Sequence, residues 1–130
     1  MAESVAVEVS FGELIDKITI LEIKLERIDD PAKLKNIRAE WETLTASRDA
    51  AVAGSSELTA LSDELKRVND ALWAIEDDIR DCERAGDFGD KFVELARAVY
   101  VTNDQRADLK RQINILLGSR LVEEKSYAAY

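Results

Sequence analysis

The 130-residue sequence predicts an all-α protein, an antiparallel four-helix bundle built from two helical hairpins. Three observations carry that expectation. Apolar residues recur at alternating three- and four-residue steps over four long stretches, the spacing of coiled-coil-like seams. Helix breakers are scarce, with one Pro and five Gly, and most of them fall between the stretches. The composition, 46% hydrophobic and 35% charged, is that of a packed helical domain and not of a disordered chain. At this length roughly two thirds of the unfolded surface can be buried, so one domain over 1–130 is expected.

Each element has its own punctuation. After an arm over 1–9, Ser10 and Glu13 form a capping-box pattern that opens a helix over 10–29. Phe11, Leu14, Ile18, Leu21, Leu25 and Ile28 are its seam. Asp30-Pro31 ends it and begins a second helix over 31–53, because Pro disfavours helical geometry in the residue before it and suits a helix's first position. Leu34, Ile37, Trp41, Leu44, Arg48 and Ala51 continue the stepping. Gly54-Ser55-Ser56 supplies a break and an N-cap for a third helix over 56–85, with the seam Leu58, Leu61, Leu65, Val68, Leu72, Ile75, Ile79 and Cys82. Cys82 reads as a small buried hydrophobe. The turn Gly86-Asp87-Phe88-Gly89 leads into a fourth helix over 90–117, whose seam is Phe92, Leu95, Val99, Thr102, Arg106, Leu109, Ile113 and Leu116. Thr102 and Gln105 could cap a break within it. Gly118 ends that helix and a tail follows over 118–130. Val5, Val7 and Val9 alternate in a pattern that suits a short strand or an extended arm, and the tail's tyrosines suit docking on the bundle or on another subunit.

Composition also removes function classes. With no His and a single Cys, zinc, haem and copper sites and His-dependent nucleophilic mechanisms lack their residues. Glu13-Leu-Ile-Asp16 is a lone Glu-x-x-Asp pair, where helical nucleotide pyrophosphatases use several to hold Mg²⁺, and Glu13 is better explained as a cap; no metal or cofactor is expected. A net charge of −9 argues against nucleic acid and anionic membranes. No window approaches the roughly 18 apolar residues of a membrane span and no leader is evident, so a cytoplasmic protein is expected. The charge is uneven: residues 1–90 carry 22 acids and 11 bases, residues 91–120 carry 3 acids and 6 bases.

Polar residues interrupt the seams at Arg48, Thr102 and Arg106. In an up-and-down bundle, neighbouring antiparallel residues have numbers of roughly constant sum, which brings Arg106 and Thr102 level with Val68, Asn69 and Leu72. A polar layer is therefore expected from Asn69, Trp73, Thr102, Asn103 and Arg106, with Trp41 beside it and Glu76 or Asp77 as the partner of Arg106. Lys110 and Asn114 extend the same edge. One reading is a device that fixes helix register. The other is a ligand site made of Asn69, Trp73, Asn103, Arg106, Lys110 and Asn114, suited to an anionic or sugar-like molecule.

The blocks Val68-Asn-Asp-Ala-Leu-Trp-Ala-Ile-Glu-Asp77, Phe92-Val-Glu-Leu-Ala-Arg97, Tyr100-Val-Thr-Asn-Asp-Gln-Arg106 and Glu123-Glu-Lys-Ser-Tyr127 resemble a family of small bacterial helical proteins of unknown function. So does the opening from Val9 to Arg27. The resemblance covers most of the chain, implies a link to surface-polysaccharide and glycosyl-transfer work, and supplies no catalytic residues. Together these readings point to a non-catalytic interaction or ligand-binding module that self-associates as a homodimer, with a protein or an anionic small molecule as a further partner. The alternative is a small helical enzyme or sensor for a sugar phosphate or nucleotide, with Glu76 as its acid-base candidate.

Overall fold

A computed structural model of the chain describes residues 3–130 and contains four helices: α1 (Phe11–Arg27), α2 (Pro31–Ala51), α3 (Ser56–Ala85) and α4 (Asp90–Leu117). No strand occurs among the described residues, and Val5, Val7 and Val9 lie exposed in an irregular arm. The first two residues of the 1–9 segment lie outside the described residues. Among the described residues no helix is long and apolar enough to cross a membrane.

The helix ends follow from side-chain chemistry. Ser10 Oγ accepts the Glu13 N–H at 3.1 Å, Asp30 accepts the Ala32 N–H at 3.0 Å with Pro31 in first position, and Ser55 Oγ accepts the Leu58 N–H at 3.1 Å. The Ser10 capping box is only half formed, because the Glu13 carboxylate is drawn away to Lys110 on α4. α1 closes at Arg27 and α2 at Ala51, each two residues earlier than the spacing suggests, with Ile28 and Val52 as extended C-caps. α4 passes through Thr102 without a break and ends where Gly118 adopts φ 65°. That left-handed turn lets the Ser119 N–H reach the Asn114 carbonyl at 2.8 Å and sends the tail back along α4.

α1 is the hub. It packs against α2, α3 and α4, α3 packs against α4, and α2 has no helix neighbour but α1. The buried positions of α1, which include Ile15, Asp16, Ile18, Thr19, Leu21 and Ile23, span more than half of its circumference at 100° per residue. The single seam expected for α1 is thus only one of its two covered faces. Ile15 joins Leu58, Leu65, Leu109 and Ile113 in the central core, with Val52, Val68 and Leu117 packed around it. Each of the five buried side chains stabilises the fold by about 1.5–3 kcal/mol relative to exposure. Leu116, expected in the α4 seam, is 42% exposed; Leu117 takes the inward position.

α2's outer placement corrects two expectations. Trp41 does not join Asn69; its indole N–H points to Glu22 Oε2 on α1, 3.4 Å away. Arg48 stays near the surface, paired with Asp49 at 3.0 Å. Both follow from α2 leaning on α1 alone.

Gly12 sets how closely α1 and α4 approach. Its N–H donates to Asn114 Oδ1 at 2.7 Å, and a Cβ at this position would collide with the Lys110 carbonyl oxygen, which is backbone and cannot swing aside. Gly12→Ala is expected to lower stability by about 1–3 kcal/mol through overpacking, read as a lower thermal midpoint in circular dichroism. Gly54→Ala, where a Cβ meets nothing within 4 Å, should leave the midpoint unchanged.

Candidate functional site

Asp16 sits one turn into α1 among isoleucines and is 1% exposed. A carboxylate so enclosed must be neutralised and hydrogen-bonded. Arg106 of α4 does both, donating Nε–H to Oδ1 at 2.9 Å and Nη2–H to Oδ2 in a two-pronged ion pair. Asn69 of α3 donates from Nδ2 to Asp16 Oδ1 and to Thr19 Oγ1, each at 2.9 Å. The Thr19 hydroxyl in turn donates to the Asp16 carbonyl at 2.8 Å. No buried side-chain polar atom is left without a partner among the described residues. The Asp16 hydrogen bond, acting against burial, holds the Arg106 guanidinium above its ordinary value.

Asn69 and Arg106 thus meet in one layer, as the antiparallel register predicts. The partner of Arg106 is a correction: it is Asp16, and neither Glu76 nor Asp77. Those two side chains are exposed on α3, and Glu76 contacts Arg80 at 3.6 Å. α1 fills the space between α3 and α4 and delivers its own carboxylate there, one turn before the half-buried Ile20 and two turns before the buried Ile23.

Above the layer lies a groove of about 550 Å³ between α1, α3 and α4. Ile20, Ile23, Leu72 and Trp73 form its apolar wall; Asn69, Asn103 and Arg106 form its polar edge; Glu76, Asp77 and Arg80 stand at the rim. Arg27 fixes the Trp73 side, its guanidinium 5.9 Å from the ring centroid and bonded to Asp70 Oδ1 at 2.6 Å through Nη2. Four of the six expected ligand-site residues, Asn69, Trp73, Asn103 and Arg106, therefore line one groove, with Glu76 beside them. Among the described residues no group of three or more His, Cys, Asp or Glu is placed to hold a metal ion.

Lys110 and Asn114 lie apart from the groove, toward the start of α1. Asn114 is occupied by the Gly12 N–H. Lys110 Nζ donates to Glu13 Oε2 at 2.7 Å and to Glu123 Oε2 at 2.8 Å, which clasps the tail to both α1 and α4. Burial pulls the Lys110 ammonium down, and the Glu123 and Glu13 carboxylates outweigh it, leaving its pKa raised. The Lys110 hydrogen bond holds the Glu123 carboxyl below its ordinary value. Further along the tail, Tyr130 donates its hydroxyl to Asp104 Oδ2 at 2.6 Å and meets Tyr100 edge-on at 5.1 Å, so one tail tyrosine docks on the bundle. Tyr127 is 83% exposed.

Sequence reasoning missed Asp16 and Gly12 as the residues that assemble this region. The available signal was the spread of Leu14, Ile15, Ile18, Ile20, Leu21 and Ile23 around the helix, too wide for one seam, which marks a helix covered on more than one face and places Asp16 within it.

Two outcomes follow. Arg106→Leu leaves Asp16 buried and unpaired and should lower stability by about 3–5 kcal/mol in urea unfolding. Glu123→Gln should lower the thermal midpoint at pH 7. Because the folded-state pKa of Glu123 is lowered, the native clasp contributes above the ordinary glutamate value and loses its contribution as pH falls through the folded value. The two proteins should therefore converge in midpoint as pH drops well below the ordinary glutamate value.

The chain matches no curated protein and no solved structure. A family profile described as a family of unknown function (DUF6165) matches residues 5–130, and the chain belongs to that family.

Proposed function

We propose that the chain is a non-catalytic ligand-binding module whose site is the groove at Trp73, and that its ligand is sugar-like. The observation that carries this reading is the pairing of a flat aromatic wall with a polar edge locked in place from beneath by Asp16. A sugar ring has an apolar C–H face suited to Trp73 and hydroxyl edges suited to the planar groups of Asn69, Asn103 and Arg106. Arg106 lines the groove while its Nε and Nη2 are engaged by Asp16. Its charge is already balanced, and the rim sets Glu76 and Asp77 against Arg80. A neutral polyhydroxylated ligand fits that balance better than a polyanion. The setting we propose is surface-polysaccharide metabolism.

The second reading, an enzyme or sensor for a sugar phosphate or nucleotide, draws on Glu76 lying on the same rim as Arg80. It is weaker because Arg106, the cation nearest the groove floor, already serves Asp16.

The test is a thermal-shift and tryptophan-fluorescence titration with neutral saccharides, nucleotide sugars and sugar phosphates. A saturable rise for a saccharide class is expected, worth about 2.7 kcal/mol at a hundredfold excess over Kd, lost in Trp73→Ala and kept in Trp41→Phe. No shift with any saccharide, or a shift that survives Trp73→Ala, contradicts the proposal. A response to sugar phosphates alone transfers the weight to the second reading.

A further inference from the structure

Shape carries a further conclusion about a surface that begins at the groove's rim, where Glu76 and Asp77 stand. The chain exposes 8959 Å², whereas a compact monomer of its 14.6 kDa mass exposes about 6,900 Å². The irregular arm and tail account for part of this excess of about 2,000 Å². A further part comes from α2, which leans on α1 alone and buries only Thr45, and part from α3 and α4, which at 30 and 28 residues outrun the 17-residue α1. α1 ends at Arg27, level with Asp70 and Trp73, and between Asp70 and Asp108 Cys82 alone is buried. Beyond Trp73 the hairpin therefore projects as two helices for about 18 Å.

The projection has an apolar stripe that its own two helices only half cover. Ile75 and Ile79 of α3 and Phe92, Leu95 and Val99 of α4 are each partly exposed. Phe88 at the tip is 56% exposed, edge-on to Phe92 at 5.3 Å. An apolar stripe left over after a hairpin closes gains stability by meeting another such surface.

We propose that this projecting hairpin is the docking surface for a second copy of the chain, two hairpins packing antiparallel into a four-helix bundle shared between protomers. A standard interface takes about 800 Å² from each partner, against an excess of about 2,000 Å² over the whole chain. Charge sets the arrangement. On the projecting part of α3, Glu76, Asp77, Asp78, Asp81 and Glu83 outnumber Arg80 and Arg84, while on α4 Lys91 and Arg97 balance Asp90 and Glu94. Packing α3 against α3 opposes acid to acid. Packing α3 of one copy against α4 of the other brings Lys91, near one tip, level with Glu76 and Asp77 at the other copy's root.

Light scattering on the full chain at about 100 μM, well above the dissociation constants of standard-size interfaces, tests this. The native protein is expected at about 29 kDa, twice its 14.6 kDa chain mass. Ile79→Glu should run as a monomer. Should that variant not fold, Phe88→Glu decides, because Phe88 is largely exposed and its loss should preserve the helical circular dichroism. A native monomer at this concentration overturns the proposal, as does a dimer that persists in folded Phe88→Glu.

Discussion

The buried carboxylate of Asp16 is the constraint on which the arrangement of the other helices depends. Enclosed among aliphatic side chains, it has to be met by donors, and the donors come from two other helices: Asn69 from α3 and Arg106 from α4. Satisfying it fixes the rotation of α1, the register of α3 against α4 and the level at which all three meet. A buried ion pair of this kind adds little stability over a well-packed apolar alternative, since desolvation offsets much of the attraction, but it strongly disfavours any arrangement that separates the partners. Its contribution is to uniqueness of packing.

The groove is a consequence of the same layer. With Arg106 and Asn69 held from beneath, their outer edges are positioned before any ligand arrives, so little side-chain ordering remains to oppose binding. The apolar wall beside them comes from residues of α1 and α3 that lie one to two turns further along, Ile20, Ile23, Leu72 and Trp73. At the other end of α1 the close approach at Gly12 and the Lys110 clasp perform the corresponding task for the tail. Binding surface and tail anchorage thus occupy opposite ends of one helix contact.

The four helices were legible because each combines a seam with strong end signals, as at Ser10, Asp30-Pro31, Ser55 and Gly118. The level of Asn69 and Arg106 was legible too, since α3 and α4 are joined by a short turn and counting from it sets the register. What could not be read was which helix lies between which. A seam spacing is the same whether a helix faces one neighbour or is covered on two sides, so the pattern gives α1 a single seam and brings Trp41 beside the central layer. Asp16 lies off that seam, so spacing alone gives no reason to bury it. The half-formed cap at Ser10 fails for a related reason: Glu13 has a cation across the helix contact that local sequence cannot reveal.

The most direct measurement is the coupling energy between Asp16 and Arg106 from a double-mutant cycle of Asp16→Leu, Arg106→Leu and the double variant, read by urea unfolding. The account predicts that each single change is strongly destabilising and that the double variant recovers much of the loss, with a coupling of about 2–3 kcal/mol. Additivity within about 0.5 kcal/mol would show that the two residues act independently and would contradict it.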